Sequence, residues 1–226
     1  MASRTIGQEP TRRGGRGARQ RILNAASELF YNEGINATGI DLISARASVS
    51  KRTLYRYFPS KTALVEEYLR MLRQAAGSLW GASPQGSDSN PRERLLALFD
   101  SLEASAEPMR GCPFHNAAVE AAAAMPGVQE IVHAHKRDYA DRITELARQA
   151  GAADPQLLGN QLAVLFEGAS ALSTSLDDAT PWVHARAAAE ALIDQATDLS
   201  SRAFSSSRAR GSSSLGFTAD NVRREL

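Results

Sequence analysis

Lys51, Arg52, Arg56 and Lys61 are interleaved with Thr53, Tyr55, Tyr57 and Phe58 in the stretch SKRTLYRYFPSK, residues 50 to 61. Arginine can pair with the edges of guanine, and a thymine methyl can meet threonine or an aromatic ring. Lysine and the tyrosine hydroxyls more often hold phosphates. At about 100° per residue, a helix through this stretch puts Leu54 and Phe58 on one side and Arg52 and Arg56 opposite, with Lys51, Thr53, Tyr55 and Tyr57 on the flanks. The apolar side would anchor the helix while the cationic side faces outward, an arrangement that suits the major groove of a duplex. A solvated basic helix with tyrosines packed on its neighbours has the same composition, so the flanking elements have to decide.

Those elements read as short helices. Ile22, Leu23, Ala25, Ala26, Leu29 and Phe30 recur at helical spacing, and Gly34 can end that helix. Thr38 followed by Asp41 has the form of a capping box, which predicts a second helix from about Gly39 to Ala47 with Ile40, Ile43 and Ala47 inward. After a turn at Ser48 and Val49, Ser50 can cap the third helix. Pro59 stops it, because the residue before a proline is pushed out of the helical region. Ser60 can cap a fourth helix whose stripe runs through Leu64, Val65, Tyr68, Leu69, Leu72 and Leu79. A helix, a tight turn and a capped basic helix make a helix-turn-helix, whose second helix enters the groove. Lys61 stands where the free N–H groups of helix four attract a phosphate, and Thr38 and Gly39 hold a similar place on helix two.

Residues 19 to 65 resemble the TetR family of transcriptional regulators, most specifically through VSKRTLYRYFPSK behind a helix and a turn. The resemblance implies an all-α protein with an N-terminal DNA-binding domain and a variable helical C-terminal domain that dimerises and binds a small effector. It carries DNA contact onto Thr38, Lys51, Arg52, Thr53, Tyr55, Tyr57 and Lys61. Ser48 departs from the family pattern, where glycine is usual, and implies a strained or differently shaped turn. The expected organisation is a basic arm (1–17), a helix-turn-helix domain (18–62), a helical effector and dimerisation domain (63–203) and a disordered tail (204–226).

Charge agrees with this division. Residues 1 to 80 hold 13 Lys/Arg against 6 Asp/Glu, whereas residues 81 to 226 hold 13 against 19, so only the first part is suited to a polyanion. A single cysteine excludes an internal disulfide, and no apolar run is long enough to span a bilayer; both point to a cytoplasmic protein without a membrane partner. Helical periodicity recurs over 91–106, 114–124, 127–150, 155–177 and 181–201. The last two segments carry Ala163, Gly168, Ala169 and Ala171, then Ala187, Ala188, Ala191 and Leu192, small residues that would let helices pair closely in a homodimer.

Phe99, Met109, Phe114, Met125, Tyr139, Phe166 and Trp182 are candidates to line an effector cavity, though core packing is the expected role of most of them. Cys112, in GCPFHNAAVEAA near Arg110 and His115, reads either as an oxidant-sensing thiol or as a small buried hydrophobe. No complete metal-ligand set, phosphate-binding glycine loop or Ser/His/Asp pattern is present, so neither a cofactor nor an enzyme is expected. The function expected is a repressor released from a palindromic operator by a small molecule. The alternative is a helical ligand-binding or interaction protein whose DNA-binding module is vestigial.

Overall fold

The computed structural model describes residues 17–81, 90–100, 110–121 and 124–211. The expected arm to residue 16, Met109 and the tail from residue 212 lie outside them. Every described element is a helix: α1 (Ala18–Asn32), α2 (Ile40–Arg46), α3 (Lys51–Tyr57), α4 (Lys61–Gly81), α5 (Pro91–Asp100), α6 (Pro113–Ala121), α7 (Pro126–Gln149), α8 (Pro155–Leu176) and α9 (Thr180–Gly211). None is long and apolar enough to cross a membrane. The chain forms two units, Met1–Pro84 with Arg110–Lys136, and Gln85–Met109 with Arg137–Leu226.

The first unit is larger than the motif boundary at residue 62 suggests. Its core gathers Ile22, Ala26 and Leu29 of α1, Ile43 of α2, Leu54 of α3, Leu64 and Leu69 of α4, Phe114 and Ala117 of α6, and Val128 and Val132 of α7. A boundary drawn where the motif ends misses these partners, because the apolar side of α4 and the face of α6 are buried in the same core as α1. The distinctive 111–122 segment is thus part of this unit. Arg110 Nε donates to the Tyr31 carbonyl at 3.0 Å, Asn116 Nδ2 returns to the Arg110 carbonyl at 2.7 Å, and Phe114 stacks on His135 at 3.5 Å.

Between α2 and α3, Ser48 takes φ 52°, the left-handed turn that the missing glycine implies. A side chain there costs about 1–2 kcal/mol, partly offset by the roughly 0.5–1 kcal/mol that glycine loses in chain entropy on folding. Ser48→Gly is therefore expected to raise stability by about 0.5–1 kcal/mol. Urea unfolding checks this through a higher midpoint at unchanged slope; an unchanged or lower midpoint means the turn is not strained.

In the second unit α8 packs on α9, and α5 on α9. Asp154 caps α8 by accepting from the Leu157 N–H at 3.0 Å, with Pro155 in the first turn. Gly159 lets α8 approach α7 closely, since a Cβ there would lie 2.3 Å from Thr144 Oγ1. Helix α9 continues to Gly211, into the segment expected to be disordered. Ser, Arg and Ala extend an existing helix at far lower cost than they could nucleate one, and no proline intervenes.

Candidate nucleic-acid interface

The basic helix α3 is one of the shortest elements of the chain, and seven residues are too few for a helix to persist alone. Three features hold it. Ser50 Oγ accepts from the Thr53 N–H at 3.1 Å, a cap of about 1 kcal/mol. Leu54 is fully buried and Phe58 nearly so. Phe58 leaves the helix with φ −132° and ψ 103°, as the residue before Pro59 should. The expected wheel is realised: Lys51, Arg52, Tyr55 and Arg56 are exposed, while Thr53 and Tyr57 are partly buried.

The exposed residues differ in what already holds them. Lys51 pairs with Asp41 of α2, and the hydrogen bond to that carboxylate raises its pKa above the usual lysine value. Arg56 lies over the Tyr57 ring at 5.1 Å, and Thr53 Oγ1 is 2.9 Å from Ser50 Oγ. Among the described residues Arg52 makes no ion pair and no side-chain hydrogen bond. It is the cation on this face most available to a ligand.

Ser60 caps α4 through the Ala63 N–H at 3.0 Å, and Lys61 opens that helix as expected. Lys61 Nζ also donates to the Asn36 carbonyl at 3.4 Å. Partial burial lowers its pKa, and the nearby Glu120 carboxylate opposes that shift.

Thr38 requires a correction. It is fully buried, and its hydroxyl donates to the carbonyls of Gly34 at 2.7 Å and Leu29 at 3.2 Å, closing the end of α1. It does not cap α2, and its hydroxyl is turned into the protein. The N-cap is Gly39, exposed and extended, with no side-chain cap bond. A capping-box spacing cannot say which way the hydroxyl turns when two unsatisfied carbonyls lie behind it.

The aromatic candidates fall into two separate groups. Phe114 and Met125 belong with the core of the first unit, and Phe114 lies against His135. In the second unit Phe166 meets Trp182 at 5.0 Å, Tyr139 at 5.1 Å and Phe99 at 6.2 Å. The buried Trp182 Nε1 and Ser173 Oγ have no hydrogen-bond partner among the described residues. Cys112 is partly buried, with Lys136 Nζ 3.5 Å from its sulfur.

The small-residue helices also divide. Ala169 is buried within its own unit and Ala188 is partly buried, whereas Gly168, Ala171, Ala187 and Ala191 are exposed. Leu157, Val164, Leu172, Leu176 and Val183 are exposed beside them. Sequence reasoning passed over these larger side chains, as it did Asn36 and Glu120, and it placed Asp41 in a capping box and not against Lys51. The spacing 157, 164, 172, 176 does mark one face of α8, but periodicity alone does not tell an outer apolar face from an inner one.

Comparisons with known proteins converge. The family model described as bacterial regulatory proteins, tetR family, matches residues 22–68, and that described as tetracyclin repressor-like, C-terminal domain, matches 91–189. A TetR-family transcriptional regulator from Streptomyces coelicolor is 32% identical, with a TM-score of 0.71 over 80% of this chain and 96% of that one. The HTH-type transcriptional regulator LmrA of Bacillus subtilis is 27% identical over 74% of this chain and 92% of its own length. The HTH-type transcriptional activator FasR of Mycolicibacterium smegmatis is 38% identical over 38% of this chain and 40% of its own length.

Proposed function

Because the chain belongs to the TetR family of DNA-binding transcriptional regulators and is not an enzyme, we propose that it acts as a homodimeric cytoplasmic repressor. In this reading it holds a palindromic double-stranded operator and is released by a small molecule. The observation that carries it is α3, a capped helix anchored by Leu54 and Phe58 with Arg52, Tyr55 and Arg56 turned outward. Arg52 is assigned to a base edge. Lys51, Tyr55, Tyr57 and Lys61 are assigned to phosphates, with Thr53, Arg56 and the Gly39 backbone beside them. A dimer would present two copies of α3 to half-sites one helical turn apart, about 34–36 Å, or a multiple of that.

The effector is assigned to the aromatic cluster of the second unit. Phe99, Phe166, Tyr139 and Trp182 suit an apolar or aromatic molecule, and the unpartnered Trp182 N–H suits an acceptor on it. Such a ligand releases DNA only if it binds better to a dimer geometry that mismatches the groove, so bound operator has to weaken its affinity in return. A second input through Cys112, as an oxidant-responsive thiol, rests on the Lys136 ammonium beside it. Cys112→Ser is expected to abolish peroxide-induced release of DNA; release that persists in the variant, or none from the wild type, excludes it.

Selection of duplexes from a random pool by the purified protein, followed by titration at several salt concentrations, tests the reading. A two-fold symmetric consensus whose affinity falls steeply with salt supports it. Absence of any salt-sensitive duplex binding would return the chain to the alternative, a helical ligand-binding protein with a vestigial DNA-binding module.

A further inference from the structure

Glu120, near the end of α6, reaches across 84 positions of sequence to the loop between α1 and α2. Its Oε2 accepts from the Asn36 backbone N–H at 2.9 Å, and Asn36 Nδ2 donates back to the Glu120 carbonyl at 3.0 Å. The loop is shaped for this approach. Gly34 has φ 93°, and a Cβ there would lie 3.1 Å from Glu120 Oε1. The third polar group of Asn36, its carbonyl, accepts from Lys61 Nζ at 3.4 Å. One loop residue therefore joins α6 to the first residue of α4.

We propose that Glu120 is a positioning residue for DNA binding, acting through Asn36 to hold the α1–α2 loop and the Lys61 ammonium where a backbone phosphate meets them. This rests on the assignment of Lys61 to a phosphate. A carboxylate near a phosphate site is electrostatically unfavourable in itself, since it repels the ligand and draws on the same cation. Its presence is accounted for by the fixed acceptor it supplies to the Asn36 backbone N–H in place of mobile water. The amide arm sets the direction of the loop, and the Asn36 carbonyl then fixes a side chain that would otherwise sample many rotamers. Any displacement of α6 is passed to Lys61 by the same bonds.

The test uses the full chain and the duplex that the wild type selects, at a temperature where each variant is folded by circular dichroism. Glu120→Ala is expected to weaken binding about tenfold or more. It should also flatten the plot of log affinity against log salt by roughly 0.9 for each half-site, as one phosphate contact is lost. Glu120→Gln keeps an acceptor for the Asn36 N–H and is expected to bind within about twofold of wild type, because the bond and not the charge does the positioning. In a Lys61→Ala background, Glu120→Ala should add little.

Wild-type affinity and slope in Glu120→Ala, an equal loss in Glu120→Gln, or additive losses with Lys61→Ala would each overturn the proposal. Should Glu120→Ala fail to fold, Glu120→Asp carries the test, because its shorter side chain draws the acceptor away from the Asn36 N–H while keeping the charge; it has to lower both affinity and slope, and an unchanged slope overturns the proposal. A wild type that binds no duplex sinks the functional reading itself, which is a different result from a wild type that binds and a Glu120 variant that matches it.

Discussion

Arg52→Ala is expected to cost about 1–3 kcal/mol per half-site and to relax preference at one base position in each. For a dimer with additive half-sites this is a loss of roughly 30-fold to more than 10⁴-fold. The size follows from placement. Arg52 projects from the first turn of α3 opposite the buried Leu54, and it is exposed without an ion pair among the described residues. Its guanidinium therefore gives up no protein partner on meeting a base, whereas Lys51 must first leave Asp41. Alanine leaves the Ser50 cap and the Leu54 anchor untouched, so the loss should appear in binding and not in thermal stability. Titration of operator variants changed one base pair at a time measures both effects. An Arg52→Ala protein that keeps the full wild-type base preference would remove this side chain from base readout.

A charge on the outer face of α8 is expected to have a comparable effect by a different route. Leu157, Val164, Leu172 and Leu176 stand 54%, 71%, 55% and 62% exposed along one stripe of α8, and Val183 of α9 is 51% exposed. Leu158, Leu162, Ala169 and Ser173, on average about a quarter-turn further round α8, are buried. In the proposed homodimer this run of exposed aliphatic side chains is the expected association surface, which a second copy of the same two helices would cover as a four-helix interface. Leu172→Glu would bury an unpaired carboxylate twice across a two-fold axis while changing little inside one chain. Monomers are expected at micromolar concentration, with operator affinity lower by about 10²–10⁴-fold because the second half-site no longer binds intramolecularly. Light scattering and duplex titration check the two outcomes. A wild-type monomer with full DNA affinity, or a Leu172→Glu dimer, would place the interface elsewhere. Ala188, an inviting target from its small-residue context, is partly buried and so a less selective site for this experiment.

What the sequence determined by itself is local. Ser50 and Ser60 cap the helices expected of them, Pro59 ends α3, the apolar spacing of α1, α3 and α4 marks the faces that are buried, and Ser48 carries the positive φ of a missing glycine. Each of these depends on residues within about one helical turn, where the backbone's own donors, acceptors and dihedral limits decide the outcome. Where two partners compete, the local rule fails. Thr38 had both an N-terminus ahead and the open carbonyls of α1 behind, and burial against Gly34 and Leu29 settled its direction. The pairing of Lys51 with Asp41, the separation of Phe114 from Phe99 and Phe166, and the exposure of Leu172 beside the burial of Ala169 were likewise tertiary outcomes. So was the bridge from Glu120 to Asn36. Its two residues lie 84 positions apart, and no periodicity or spacing links them; only the packing of α6 into the same core as α1 and α4 brings the carboxylate to the loop.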